Sequence, residues 1–147
     1  MLTAHDVARY FLSKVEEEAG DGISNLKLQK LVYYAQGCYL GLYNEPLFVD
    51  RIEAWEHGPV VASLYHTYKA HGASPIPPED IDLAGYTDRE REMMDEVYDV
   101  YGQFSAWKLR NMTHAERPWK EAFDHAVNRV ISTESMRDYF KDFVSED

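Results

Sequence analysis

Six histidines, one cysteine and a scatter of carboxylates are the residues of this chain whose types could do chemistry. A metal site needs ligands at defined spacing, and His5, His57, His66, His71, His114 and His125 do not provide it. No HxxxH or HExxH pair is present, and His66 and His71 lie five apart, which makes them diverge on a helix. His114-Ala115-Glu116 also lacks a helical spacing suited to one metal. A nucleophile needs an adjacent base; Ser105 and Cys38 are the candidates, and neither sits in a recognisable elbow or protease signature. Phosphate-binding glycine loops of the GxGxxG and GxxxxGK[ST] kinds are absent. Glu53, Glu56 and Glu116 could supply a carboxylate pair, and His114 with Glu116 or Glu53 could serve an enzyme, but no spacing demands it. The expectation is no catalysis, no metal and no cofactor.

The richest polar and aromatic cluster is Ser105 to Trp119, SAWKLRNMTHAERPW. Two readings of it are open. His114 is a satisfied core histidine that orients a turn, or Trp107, His114 and Trp119 line a groove for a partner. Eleven tyrosines and three tryptophans favour either use, since such rings fill cores and also enrich binding surfaces.

The elements that position these residues follow from periodicity. Leu28, Leu31, Val32, Ala35, Tyr39 and Leu42 make one apolar stripe at helical spacing. Ser24 caps its start, and Gly41, Asn44 and Pro46 stop it. This predicts a central helix over 26–42, with Cys38 as a small buried apolar residue. Lys27 and Lys30 stand in its first turns, against the helix dipole. Either one pairs with a neighbour such as Asp21 while the other is solvated, or one reaches a buried carboxylate or a bound protein. Before it, Thr3 with Asp6 starts a helix that carries Val7, Ala8, Phe11, Leu12 and Val15 and runs into Glu16, Glu17 and Glu18. Gly20-Asp21-Gly22 is a loop, and Ile23 is placed as a hydrophobic staple.

The segment PLFVDRIEAWEHGPV predicts a short hairpin or two extended pieces, with Leu47–Val49 as one and Ile52–Trp55 as the other. Pro59 fits the first turn of a third helix, entered through Gly58 and carrying Val60, Val61, Leu64, Tyr65 and Tyr68 to His71-Gly72. Residues 73–86, with three prolines, read as a surface crossing. Thr87 with Glu90 caps a fourth helix bearing Met93, Met94, Val97, Val100 and Tyr101. Ser105 caps a fifth with Leu109 and Met112, Pro118 starts a sixth with Trp119, Ala122 and Phe123, and Ser132 or Thr133 caps a last one with Met136, Phe140, Phe143 and Val144. The fold class is therefore mainly α: a single compact helical domain of six or seven helices, spanning 1–147, with one small β-hairpin element.

The net charge of −11 repels phosphate backbones and argues against nonspecific nucleic-acid binding. A single cysteine excludes an internal disulfide. There is no signal-peptide pattern and no stretch suited to a membrane span, which predicts a cytoplasmic protein with no membrane partner.

Three blocks, SNLKLQKLVYYAQG, PLFVDRIEAWEHGPVVASLY and LRNMTHAERPW, resemble in the same order the signature segments of the Panacea domain family, also described as SocA-like or GepA-like. The similarity runs from about Val7 to Tyr139. It implies a bacterial or prophage antitoxin that neutralises a cognate toxin by protein–protein binding, with no catalytic activity and no cofactor. It also implies alternatives: a proteolytic adaptor that presents a toxin to a cytoplasmic ATP-dependent protease, or a phage-associated interaction protein. The positions that match the family are Leu28, Lys30, Leu31, Tyr34, Ala35, Gln36, Trp55, Gly58, Pro59, Val60, Thr113, His114 and Trp119, read here as fold determinants. No helix-turn-helix segment is seen, so direct operator binding is not expected. The acidic total charge suits a toxin that is basic. Tyr65, Tyr68 and Trp107 are the expected partner-binding aromatics, on an aromatic and acidic face.

Overall fold

The computed structural model describes residues 1–15, 22–125 and 129–143. The helices are α1 (Ala4–Ser13), α2 (Asn25–Tyr43), α3 (Ala62–Tyr68), α4 (Asp88–Tyr101), α5 (Ala106–His114), α6 (Arg117–His125) and α7 (Thr133–Phe140). Three short strands, β1 (Ile52–Trp55), β2 (Gly58–Val60) and β3 (Val130–Ile131), form an antiparallel sheet in the order β2-β1-β3. The architecture is mainly α with a small β element.

The capping chemistry acts at the expected places. Thr3 and Asp6 close a capping box on α1, and Thr87 and Glu90 do so on α4. The hydroxyls of Ser24, Ser105 and Ser132 accept from the first turns of α2, α5 and α7. Asn44 ends α2 in the left-handed conformation, its amide bonded to the Leu40 carbonyl. Pro118 lies in the first turn of α6.

α2 is the hub. It touches α1, α3, α4, α5, α7 and β2, and every residue from Leu28 to Leu40 is buried. The sequence predicts one apolar stripe; the structure surrounds the helix instead, so Gln29, Lys30 and Gln36 are buried too. Gln36 shows how this is tolerated. Its amide donates to the Phe48 carbonyl (2.8 Å) and accepts from the amides of Leu47 (2.8 Å) and Phe48 (3.4 Å). Gln29 accepts from the Val61 amide (3.0 Å). These side chains satisfy backbone groups that have no strand partner. Gly37 lets α7 approach: a Cβ there would lie 2.2 Å from the Phe140 ring.

Two expectations about β-structure are corrected. Leu47–Val49 is not a strand but an irregular segment held by Gln36. The hairpin pairs Ile52–Trp55 with Gly58–Val60, in the register Trp55↔Gly58, Ala54↔Pro59 and Glu53↔Val60. Pro59 therefore does not start a helix; it lies in the edge strand, where a missing N–H is tolerated. α3 begins at Ala62. Gly58 turns the chain back at φ +113°, a conformation suited to glycine.

The crossing over 73–86 is pinned to the core. Ile76 is buried and its amide donates to the Ile23 carbonyl (2.9 Å), while the Tyr86 hydroxyl donates to the Asp6 carbonyl (2.7 Å). Phe143 and Val100, expected on inner faces, are exposed. The Glu16–Glu18 run, Gly20, Asp21 and Val144 lie outside the described residues.

Candidate functional site

Lys30 sets the site. It is fully buried and its Nζ donates to the Pro59 carbonyl oxygen (3.2 Å). Burial, with the Arg110 guanidinium nearby, holds its ammonium down to about 7. It is neither solvated nor bonded to a carboxylate, as the sequence readings had it; its partner is a backbone oxygen of the edge strand. Gly58 makes room for it, since a Cβ there would lie 2.4 Å from Lys30 Cε and 2.9 Å from Thr113 Oγ1. Lys27 donates to the Gly102 carbonyl (2.6 Å).

Above Lys30 opens a cleft of about 460 Å³, walled by Gln29, Trp55, Val60 and Tyr65 and flanked by Glu56 and His57 of the hairpin turn. Trp55 packs edge-on against Tyr65 at 5.1 Å between centroids. Beside the cleft, Arg110 of α5 donates through Nε to His57 Nδ1 (3.3 Å) and stacks over the Trp107 ring at 4.5 Å. Trp107 is 55% exposed. The three signature segments thus meet here: α2 supplies the floor, the hairpin one wall, and α5 flanks the hairpin turn through the contacts of Arg110 and Trp107 with His57.

The remaining signature residues lock these walls. Trp119 donates its indole N–H to the Trp55 carbonyl (2.8 Å) and stacks on His114 at 4.0 Å. Burial, then Arg110, holds the His114 imidazole below its ordinary range, while the Glu56 backbone opposes this. Its Nε2 is buried with no hydrogen-bond partner among the described residues. Thr113 is buried and its hydroxyl donates to the Arg110 carbonyl (2.8 Å).

The sequence alone gives Glu116 no role beyond a possible carboxylate pair. It instead receives the hydroxyls of Tyr33 (3.0 Å) and Tyr34 (2.7 Å), one on each oxygen. Burial pushes its carboxyl up to about 7, against the two hydrogen bonds, and lifts both phenols above their usual range. Tyr34 also stacks flat on Tyr101 at 3.9 Å. The adjacent tyrosines in the most apolar helix were the available signal. Glu53 accepts from the Trp55 indole (2.9 Å) and Glu56 is exposed, so the three carboxylates of the sequence reading have separate settings. Ser105 is a helix cap. Cys38 is buried, its thiol pushed up to about 12 by burial, beside a smaller hollow of about 200 Å³. Of the expected partner-binding aromatics, Trp107 is exposed, Tyr65 is half-buried in the cleft wall and Tyr68 is buried in the core. His57 and Arg110 were not singled out, because a turn residue and a helix residue become neighbours only in the fold. Among the described residues, no group of histidine, cysteine and carboxylate could hold a metal, and no helix is long and apolar enough to cross a membrane.

The family model described as "Antitoxin SocA-like, Panacea domain" matches residues 28–120, the span from the first turn of α2 to the first turn of α6. The chain is 33% identical to a protein named Antitoxin SocA from Caulobacter vibrioides, over 66% of this chain and 58% of that protein. It thus spans little more than half the length of that relative. No solved structure matches significantly. On the family match, which covers the floor and wall of the cleft and α5 together, the chain belongs to the SocA-like, Panacea domain family.

Proposed function

We propose that this protein is an antitoxin that neutralises a cognate toxin by direct binding, and that the toxin docks on the face around the cleft. One observation carries the placement: Trp107 stands 55% exposed beside the hairpin turn, stacked on Arg110 and next to an open aromatic-walled cleft. Tryptophan and arginine in such a setting are the residues that most often dominate protein–protein binding energy. The role itself is supported by the family and by the name of the Caulobacter relative. The net charge of −11 favours encounter with a partner that is basic overall.

The test is a growth assay. The neighbouring small open reading frame is induced alone, then with this protein, then with Trp107→Ala. Toxicity alone, rescue by the wild type and failed rescue by a variant of unchanged melting temperature are expected. Rescue by both proteins alike removes the face from the interface. Absence of toxicity, or of rescue by the wild type, overturns the antitoxin reading. Rescue that disappears when the cytoplasmic ATP-dependent proteases are deleted replaces neutralisation by binding with delivery for degradation.

A further inference from the structure

The cleft carries a local charge opposite to that of the molecule. The chain is strongly acidic, with a net charge of −11, yet Lys30 and Lys69 line the cleft and Arg110 lies beside it, bonded to His57 of the lining. Among the described residues none of Lys30, His57 and Arg110 is ion-paired or hydrogen-bonded to a carboxylate. Lys30 uses one of its donors, on the Pro59 carbonyl. Arg110 uses Nε on His57 and one Nη on Asn111 Oδ1, and among the described residues its second Nη has no hydrogen-bond partner. Of the carboxylates here, Glu56 lines the cleft and is exposed on the turn, and Glu53 is taken up by the Trp55 indole (2.9 Å). His57 accepts at Nδ1 and so is the neutral imidazole, leaving Lys30 and Arg110 as the two like charges: Arg110 lowers the proton affinity of Lys30, and of His114 beside it. An anion brought to this point relieves that repulsion.

We propose that the cleft receives an acidic side chain, aspartate or glutamate, carried on an apolar segment of the partner protein. This rests on the partner-binding reading of the same face. Arg110 and His57 make the contact with the carboxylate, while Lys30, sealed beneath the floor, adds to the field. Val60, Trp55 and Tyr65 supply the apolar walls for the flanking residues. An acidic side chain fits better than a chain terminus, because terminal carboxylates are captured by nests of backbone N–H groups and the free donors here are side chains. A partner segment fits better than a small carboxylate, because a small molecule in the cleft would leave the exposed Trp107 uncovered. The two electrostatic scales have separate tasks. The acidic surface draws a basic partner in, and the cationic cleft selects one register of contact.

The test uses the full chain and short synthetic peptides, N-acetylated and C-amidated, with a central leucine–glutamate–phenylalanine, against the same peptide with glutamine. Amide and indole NMR shifts locate binding, and titration gives affinity. The expected result is binding of the glutamate peptide with shifts at Trp55, Tyr65, His57 and Trp107, and affinity about tenfold lower for glutamine, as a charge-assisted hydrogen bond implies. Arg110→Gln should abolish the preference; His57→Ala, on an exposed turn, should reduce it without risk to the fold. Equal affinity of the two peptides, no binding, or shifts elsewhere overturns the proposal. N-acetylglutamate alone binding as tightly as the peptide also overturns it, in favour of a small-molecule site. The growth assay separates this from the antitoxin reading: rescue by Arg110→Gln, with peptides that show no discrimination, removes the carboxylate anchor and leaves antitoxin activity standing.

Discussion

Replacing Glu116 by glutamine isolates the energetics of its contact with Tyr33 and Tyr34. Burial lifts this carboxyl from 4.5 to about 7 in the folded protein. A raised folded value means that the protonated form favours the fold. Its stabilising contribution is whole below the unfolded value and is lost as pH rises through about 7. At about 1.4 kcal/mol per pH unit, the interval between the two values corresponds to ~3 kcal/mol. Glutamine has the shape of the protonated acid, with one acceptor and one donor facing the two tyrosine hydroxyls, and it cannot ionise. Urea unfolding of both proteins in steps from about pH 4.5 to about pH 8.5 gives the difference in stability, from which other titrating groups cancel. The two should be close at the acid end. The variant should then gain on the wild type up to about pH 7, level off, and finish ahead by ~3 kcal/mol. A difference independent of pH, or one that moves the other way, would refute the assignment of a buried, proton-hungry carboxyl.

Lys30→Met tests the opposite sign. The folded value of about 7 lies below the ordinary 10.5, so the unfolded chain holds a proton that the folded chain has released. Wild-type stability relative to the variant should therefore rise by about 1.4 kcal/mol per pH unit between about 7 and 10.5, read by urea unfolding across that interval. Gly37→Ala drives a methyl into the Phe140 ring and should cost about 1–3 kcal/mol, of which Phe140→Leu in the same chain restores part; thermal unfolding of the single and double variants measures the coupling. Gln36→Leu strands the Leu47 amide and the Phe48 carbonyl and should cost about 2–3 kcal/mol, with faster hydrogen exchange at Leu47 as the local readout.

The helices were legible because their signals are local. Thr3 with Asp6, Thr87 with Glu90, and Ser24, Ser105 and Ser132 each act within one turn, and the structure uses all of them. Pro59 was misread because proline suits two places, the first turn of a helix and an edge strand; Gly58 and the Trp55↔Gly58 pairing decide for the strand. β3 has two residues, too few for a period to register. The cleft was partly legible. Trp55, Tyr65 and Trp107 could be named as aromatics, but the burial of Lys30 and Glu116 could not, since charged residues are exposed by default. Their settings come from contacts across 29 and more than 80 positions of chain.

Gln29 and Gln36 stand seven positions apart on α2, two turns along nearly one line of the helix. One grips Val61 and the other grips Leu47 and Phe48, so the stretch between, with the hairpin, is clamped at both ends to the central helix. Its tip, Glu56 and His57, is exposed and belongs to neither clamp. Evolution can therefore rewrite the tip while the frame keeps its shape. Substitutions at these two positions can accumulate one at a time, each leaving the scaffold intact for the next.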